Sequence, residues 1–438
     1  MSDTAARAAR QAFTLPAAPL RSIGSLAEWL RGDEADAVTM ICDPALTGQP
    51  VTVGVRDQIR SAGITSRVVT LPINRDAEAI RSLAARLAPR ELVVAIGGGS
   101  TLDFAKLTAL SAIQPDIYRY LTAPQRSGFL LLPPHLGNSV RVLAVPTTLG
   151  TGSELGTVAC FERAGHKLLV TGSCLRPVQA MWIAEATDTL PADLVADGVL
   201  EALFRTVSPY TGDPAPLPEQ DAAVEDLAVR LIQAGDEVAR LRAAGNPIPA
   251  DLRLRIAEMS AQSQIGHLNI GRSPYAVKCW CIANELSTLL GLAKMRTVSA
   301  VWPVLWRHCL AGNDRLGSPD RILSLWTVIR GTFPHFGQDP VTGLERLMDA
   351  WRIERTVHAG TRQVEETTER IMRAWGAGLP ILDGVRAQEI RRLLTDATYS
   401  TADGVVSPPG TVGPPDHRTP TEPDRVHAEE HTIRAHQA

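Results

Sequence analysis

The chain has 438 residues, 45% of them hydrophobic and 21% charged, a balance that suits two or three domains, or one two-lobed enzyme, around a large core. Its net charge of −3 argues against a general nucleic-acid or anionic-membrane surface. Six scattered cysteines predict no disulfide framework and a reducing compartment; Cys279 and Cys281, the one close pair, are a weak metal signal without a partner pair. No apolar region follows Arg7 and Arg10, so no signal peptide is expected, and no run of about 18 apolar residues is present to span a membrane. The expected location is cytoplasmic.

Residues 1–20 read as a polar, Ala-rich lead-in. Leu26 to Leu30 suits a short helix, Ala37 to Cys42 a strand ending at Asp43-Pro44, Val51 to Ser61 a helix, Ser66 to Leu71 a strand, and Asp76 to Leu87 a helix. The central stretch is Glu91 to Leu110. The apolar run Leu92 to Ile96 reads as a buried strand. Gly97, Gly98, Gly99 and Ser100 follow, and then Leu102, Ala105, Leu107 and Leu110 recur at helical spacing. A glycine turn between strand and helix lets a ligand approach the main chain, and the helix start offers unpaired N–H groups to a phosphate or pyrophosphate. The turn is neither GxGxxG nor a Walker A loop.

Arg141 to Val145 predicts another strand, opening into PTTLGTGSE at 146–154. Thr147, Thr148, Thr151 and Ser153 offer hydroxyls beside two glycines, suited to a ribose, phosphate or carboxamide. Asp43, at a strand end, suits a ribose hydroxyl, or simply caps the strand. Strands alternating with helices imply a parallel α/β sheet. From about Leu190 amphipathic helices replace them: 194–207, 221–242, 252–264, 277–290 and 298–310. The expected division is a lead-in at 1–20, an α/β dinucleotide-binding domain at 21–188, a helical domain at 189–400 and a disordered tail at 401–438.

GGGSTLDFAK (97–106) and PTTLGTGSE (146–154) resemble the two signature segments of the iron-containing alcohol dehydrogenase family, within the dehydroquinate-synthase-like superfamily. TLPADLVADGVLEALFRTVSPY (189–210) is similar to the segment that opens that family's helical domain. The resemblance covers roughly 20–395. It implies an N-terminal α/β nucleotide-binding domain, an all-α C-terminal domain and an active site between them. NAD(P) is then expected across Gly97 to Ser100 and Thr147 to Ser153, with Asp103 and Lys106 at further motif positions and Lys167 at the family lysine near the cofactor. An acid at Asp43 implies NAD over NADP.

The helical half departs from the family pattern. In register with it, the acidic metal ligand is Glu201, but the three histidine positions hold Arg205, Trp280 and Lys294, and a further histidine near the nicotinamide becomes Asn284. Arg, Trp and protonated Lys do not ligate a divalent metal, so none is expected. His267 and His308 match no ligand position. Glu201 and Arg205, four apart, share a helical face, as do Trp280 and Asn284. Arg205 and Lys294 are expected to hold a carboxylate or polarise a carbonyl, with Lys294, buried beside Arg205, as proton donor or acceptor. The other reading of these positions is a decayed site in which a Glu–Arg pair joins two helices.

The expected function is therefore a metal-independent, NAD-dependent oxidoreductase acting on an alcohol or carbonyl substrate that bears a carboxylate. A maleylacetate-reductase branch of the family fits metal independence. Family members in peptide natural-product pathways of the daptide type fit a peptide carboxylate as well as a small molecule. Two alternatives stand beside it: a non-catalytic nucleotide-binding partner of a modifying complex, and an NAD-using synthase of the dehydroquinate synthase kind. Homo-oligomerisation is left open.

Overall fold

The apolar runs at Ala37–Cys42 (β1) and Leu92–Gly97 (β3) are neighbouring parallel strands, paired from Val38 with Leu92 to Cys42 with Ile96. A computed structural model describes residues 17–33, 35–136 and 140–399 of the chain. The tail expected over 401–438, and the lead-in up to residue 16, lie outside the described residues.

Strand and helix alternate through the first half: α1 (Ser25–Asp33), β1, α2 (Pro50–Ser61), β2 (Thr65–Thr70), α3 (Ala77–Ala84), β3 and α4 (Gly99–Ile113). The short α5 (Ile117–Thr122), β4 (Phe129–Leu131), β5 (Val140–Pro146), β6 (Val158–Arg163), β7 (His166–Thr171) and β8 (Pro177–Ala180) follow. Five strands form a parallel sheet in the order β2-β1-β3-β5-β8. Its central strands alternate between two cores, as a pleat of period two requires. Leu92, Val94 and Ile96 pack with Leu26 and Leu30 of α1 and Val51, Val55 and Ile59 of α2. Val93 and Ala95 face the other way, onto Ile80 and Leu83 of α3 and Leu102 and Leu107 of α4. Each such side chain contributes about 1.5–3 kcal/mol by leaving water.

β4, β7 and β6 make a second, three-stranded sheet in that order. No strand is expected there from the sequence, because β4 has only three residues and β6 and β7 mix polar and apolar residues with few buried positions. Ala164 (φ 50°) and Gly165 (φ 73°) turn β6 into β7, the left-handed pair that a two-residue hairpin demands. α4 packs against both sheets, which is why every residue from Thr101 to Ser111 is buried and its sequence lacks a polar face.

The second half is helical among the described residues: α6 (Ala192–Gly212), α7 (Pro218–Ala243), α8 (Ala250–Ile265), α9 (Lys278–Leu290), α10 (Lys294–Leu310), α11 (Pro319–Thr332), α12 (Pro340–Ala350), α13 (Thr361–Trp375) and α14 (Ala387–Ala397). They close around Trp302, Trp306, Trp326, Trp351 and Trp375, all fully buried. No described helix is long and apolar enough to cross a membrane.

Candidate active site

β1 has β2 on one side and β3 on the other, so the chain reverses direction at that point of the sheet, and the loops leaving β1 and β3 diverge above it. Open α/β sheets bind ligands in that crevice. The loop leaving β5 joins them. Gly97 is paired with Pro146, and the Thr147 N–H donates to the Gly97 carbonyl at 3.0 Å. A Cβ on Gly98 would lie 3.1 Å from the Thr148 side chain, and one on Gly99 would lie 3.1 Å from the Thr151 methyl. The consecutive glycines thus let the two predicted turns stack directly. Gly98, Gly99, Thr148 and Thr151 are half-buried and Ser100 is exposed, so this group forms the solvent-reached side of the stack, while Gly97 and Thr147 lie beneath it.

Asp103 and Ser153 face inward instead. Lys106 is fully buried on α4, and its ammonium donates to Ser153 Oγ at 2.7 Å and to the Val158 carbonyl at 3.0 Å. Ser153 Oγ donates in turn to Asp103 Oδ1 at 2.6 Å, and Asp103 Oδ2 accepts from the Cys160 N–H at 2.9 Å. Burial pulls the Lys106 ammonium below its ordinary value, against the nearby Asp103 and Glu154. A buried cation needs such partners. Asp103 and Ser153 were both expected at the cofactor; in the structure their polar atoms tie the Thr-rich loop and β6 to α4.

Asp43 stands at the end of β1, half-buried, and its Oδ1 accepts from the Ala45 N–H at 3.0 Å to cap a short 3₁₀ turn. Its other oxygen takes no part in that cap. Lys167, on β7, lines a cavity of about 70 Å³ together with Ser100, Cys160 and Arg75.

Three of the predicted residues of the helical half, Glu201, Arg205 and Lys294, converge. Glu201 of α6 is paired with Lys294, the first residue of α10, and lies 3.7 Å from Arg205 one turn along its own helix. Burial would raise Glu201, but Lys294 and Arg205 outweigh it and hold the carboxyl below its ordinary value. Arg205 has contacts other than those of a carboxylate clamp. Its Nε donates to Ser263 Oγ at 2.8 Å, and its Nη2 donates to Ser260 Oγ at 3.0 Å and to the Gly150 carbonyl. Gln264 Nε2 donates to the Thr151 carbonyl at 2.9 Å. Arg205 and Gln264 therefore hold the Thr-rich loop onto α6 and α8. Gly150 (φ 97°) lies directly on α6, where a Cβ would come within 2.3 Å of the Gly198 carbonyl. Lys294 keeps about a third of its side chain in solvent, so the burial expected of it is only partial. Asn284 is buried, and its amide nitrogen has no hydrogen-bond partner among the described residues. Trp280, sharing its helical face, packs edge-on against Trp375 at 5.6 Å.

Residues 20–183 match the sequence model of the family described as "Iron-containing alcohol dehydrogenase". Over those residues the chain is similar to that family. It is 29% identical over 218 residues to the NADPH-dependent aldehyde reductase YqhD of Escherichia coli, a match covering 49% of this chain and 54% of the relative. It is 33% identical over 176 residues to the phosphonoacetaldehyde reductase of Streptomyces viridochromogenes, covering 39% and 43%. These matches span about half the length of the curated relatives. The fold extends further: the NADH-dependent butanol dehydrogenase A of Thermotoga maritima superposes with a TM-score of 0.73 over 88% of this chain and 98% of that one, at 18% identity. The relatives' names thus include both nicotinamide cofactors.

An iron-containing family implies a metal, and the donor chemistry at Glu201 does not suit one. Glu201 is a single carboxylate held between two cations, and Arg205 has no lone pair to give. Among the described residues no group of three or more His, Cys, Asp or Glu side chains is placed to hold a metal ion. His308 instead meets Asp396 at 2.7 Å, far along the chain from these positions. The site also contains residues that sequence reasoning missed: Ser260, Ser263 and Gln264. Their spacing of three and four on one helix was visible, but nothing in it named the loop they hold.

Proposed function

We propose that the protein is an NAD-dependent oxidoreductase that interconverts an alcohol and a carbonyl compound without a metal. The observation that carries this reading is the stack of the Gly97–Ser100 turn on the Thr147–Thr151 loop, next to the Glu201–Arg205–Lys294 cluster. NAD bound there would supply the hydride acceptor or donor. The N–H groups at the start of α4 suit its pyrophosphate, and Thr148 and Thr151 offer hydroxyls beside them. Asp43 suits a free ribose diol, whereas a 2′-phosphate would meet its negative charge. Lys167 lines the same cleft.

When hydride adds to a carbonyl carbon, the oxygen takes the bonding pair and then needs a proton. Lys294 is the group we assign to give it, with Glu201 holding the ammonium in place; its exposed third lets solvent return the proton. In the reverse direction Lys294 takes the proton. The unpartnered Asn284 amide offers a hydrogen bond to the same oxygen. Arg205 acts through the loop it clamps and is a positioning residue. General acid catalysis of this kind contributes about 10²–10⁴-fold.

The test is aldehyde-dependent oxidation of NADH and NADPH by chelator-treated protein. NADH should be preferred, the activity should survive chelation, and Asp43→Ala should narrow the preference. Preference for NADPH, or activity that returns only with iron or zinc, overturns the reading.

A further inference from the structure

A second cavity, of about 320 Å³, opens beside the β6–β7 hairpin. Its walls carry Arg126, Arg163, His166, Lys167, Arg370 and Arg373, against one carboxylate, Glu285. The arginines come from three separate parts of the chain: the segment before β4, the hairpin, and α13. Contacts on the protein orient them but leave most of their charge uncompensated. Arg126 donates to the Ala377 carbonyl at 2.6 Å, Arg163 to the carbonyls of Leu121 and Ala123, and Arg370 to that of Gly165 at 2.6 Å. Carbonyl groups neutralise nothing. Glu285 is buried and already accepts from Arg370 and from the Trp375 indole. Arg373 has neither a hydrogen bond nor an ion pair among the described residues.

Two features mark this charge as held for a ligand. Arg370 and Arg373 stand one turn apart on α13, a like-charge spacing that is unfavourable in an empty helix. His166 is held below its ordinary value by burial first, then by Arg370, and Arg373 and Arg163 add to that against the opposing Glu285, so the net field at the imidazole is positive. Five permanent cations and one carboxylate leave an excess of four positive charges, more than a monocarboxylate would balance. Planar guanidinium groups from several directions match the oxygens of a tetrahedral anion. Lys167 lines both this cavity and the one beside Ser100, so the two share a wall.

We infer that this cavity binds a doubly charged oxyanion, of the phosphate or phosphonate class, carried by the substrate whose carbonyl is reduced. The substrate link rests on the oxidoreductase reading; the anion site does not. It moves anion recognition away from Arg205, whose donors are largely committed to the loop and its serines, to the arginines of the hairpin and α13.

The test has two arms. In the first, inorganic phosphate is titrated calorimetrically into the wild type, Arg373→Gln and Gly98→Val, with folding checked by circular dichroism. Arg373 is exposed and unpartnered, so its loss should leave the fold intact. Losing one charge-assisted contact should weaken phosphate binding by about tenfold or more, whereas Gly98→Val should leave it unchanged. Unaltered affinity in folded Arg373→Gln, loss in Gly98→Val, or no binding by the wild type overturns the site. In the second arm, KM is compared for an aldehyde bearing a phosphate or phosphonate and for a neutral aldehyde. Arg373→Gln should raise the first and spare the second; an equal effect on both overturns the link to substrate. If no aldehyde is turned over at all, the oxidoreductase reading and the substrate link both fall, while the phosphate titration still decides the cavity.

Discussion

Gly198→Ala is the substitution whose sign most directly tests how the site is held. Gly198 lies within α6, where alanine is normally better than glycine by about 1 kcal/mol. Propensity alone therefore predicts a more stable protein. The packing predicts the opposite. A Cβ at Gly198 would lie 2.7 Å from the Leu149 carbonyl oxygen and 2.8 Å from its carbon. Those are backbone atoms and cannot rotate aside, so the Thr-rich loop must lift from the helix. Overpacking of that kind costs about 1–3 kcal/mol, which cancels or outweighs the propensity gain and leaves a net loss of up to about 2 kcal/mol.

The displacement would also stretch the bonds from Arg205 to the Gly150 carbonyl and from Gln264 to the Thr151 carbonyl. Thr148 and Thr151 would then move against Gly98 and Gly99, and nucleotide affinity should fall with stability. Urea denaturation and a fluorescence titration with NADH read the two effects. Gly331→Ala is the control: Gly331 is in α11, and nothing lies within 4 Å of its added Cβ. It should be neutral or stabilising by up to about 1 kcal/mol. A Gly198→Ala protein as stable as its parent, with unchanged NADH affinity, would refute the account of the loop resting on α6.

Arg205→Lys keeps the charge but loses the fork that reaches Ser263, Ser260 and Gly150 together; it should lower stability in urea by about 1.5–3 kcal/mol, and an unchanged midpoint would show that the loop does not depend on the clamp. Glu201 has a lowered folded value, so its ionised form favours folding. That contribution is present above the ordinary carboxyl value of 4.5 and is lost as the pH falls through the lowered folded value. Glu201→Gln should remove this part of the acid dependence and leave Lys294 unpaired at neutral pH; acid unfolding curves that coincide with wild type would contradict it.

The turns that form the crevice were legible because their signals are local. A continuous apolar run, three glycines and a helical period describe one strand, one turn and one helix without reference to the rest of the chain. That Glu201, Arg205 and Lys294 meet was legible through the register of 189–210 and 278–295. What they touch was not. Arg205 reads equally well as a clamp for a substrate or for a loop, and only the positions of Gly150, Ser260 and Ser263 decide between them. The three-stranded sheet escaped for a related reason. The β6 sequence VACFER has buried residues at Ala159 and Phe161 alone, too few to stand out until α4 covers them. The arginine cavity gathers residues more than 200 positions apart, beyond the reach of any spacing rule.

Charge arithmetic supports the proposal that no metal takes part at Glu201. Two unit charges about 4 Å apart near a protein surface interact by about 4 kcal/mol. A divalent cation against Glu201 would gain about twice that, and would lose a similar amount to each of Arg205 and Lys294 if both stayed close. The repulsion exceeds the attraction. The same two cations already neutralise the single carboxylate and leave a net charge of about +1, with no further ion to desolvate. Replacing one of them alone would still leave a positive neighbour beside the single carboxylate. On the proposed reading, the cluster keeps a positive charge, the property a metal would bring to a developing alkoxide. In that reading the charge comes from Lys294, paired with Glu201, while Arg205 holds the Gly150 carbonyl of the neighbouring loop.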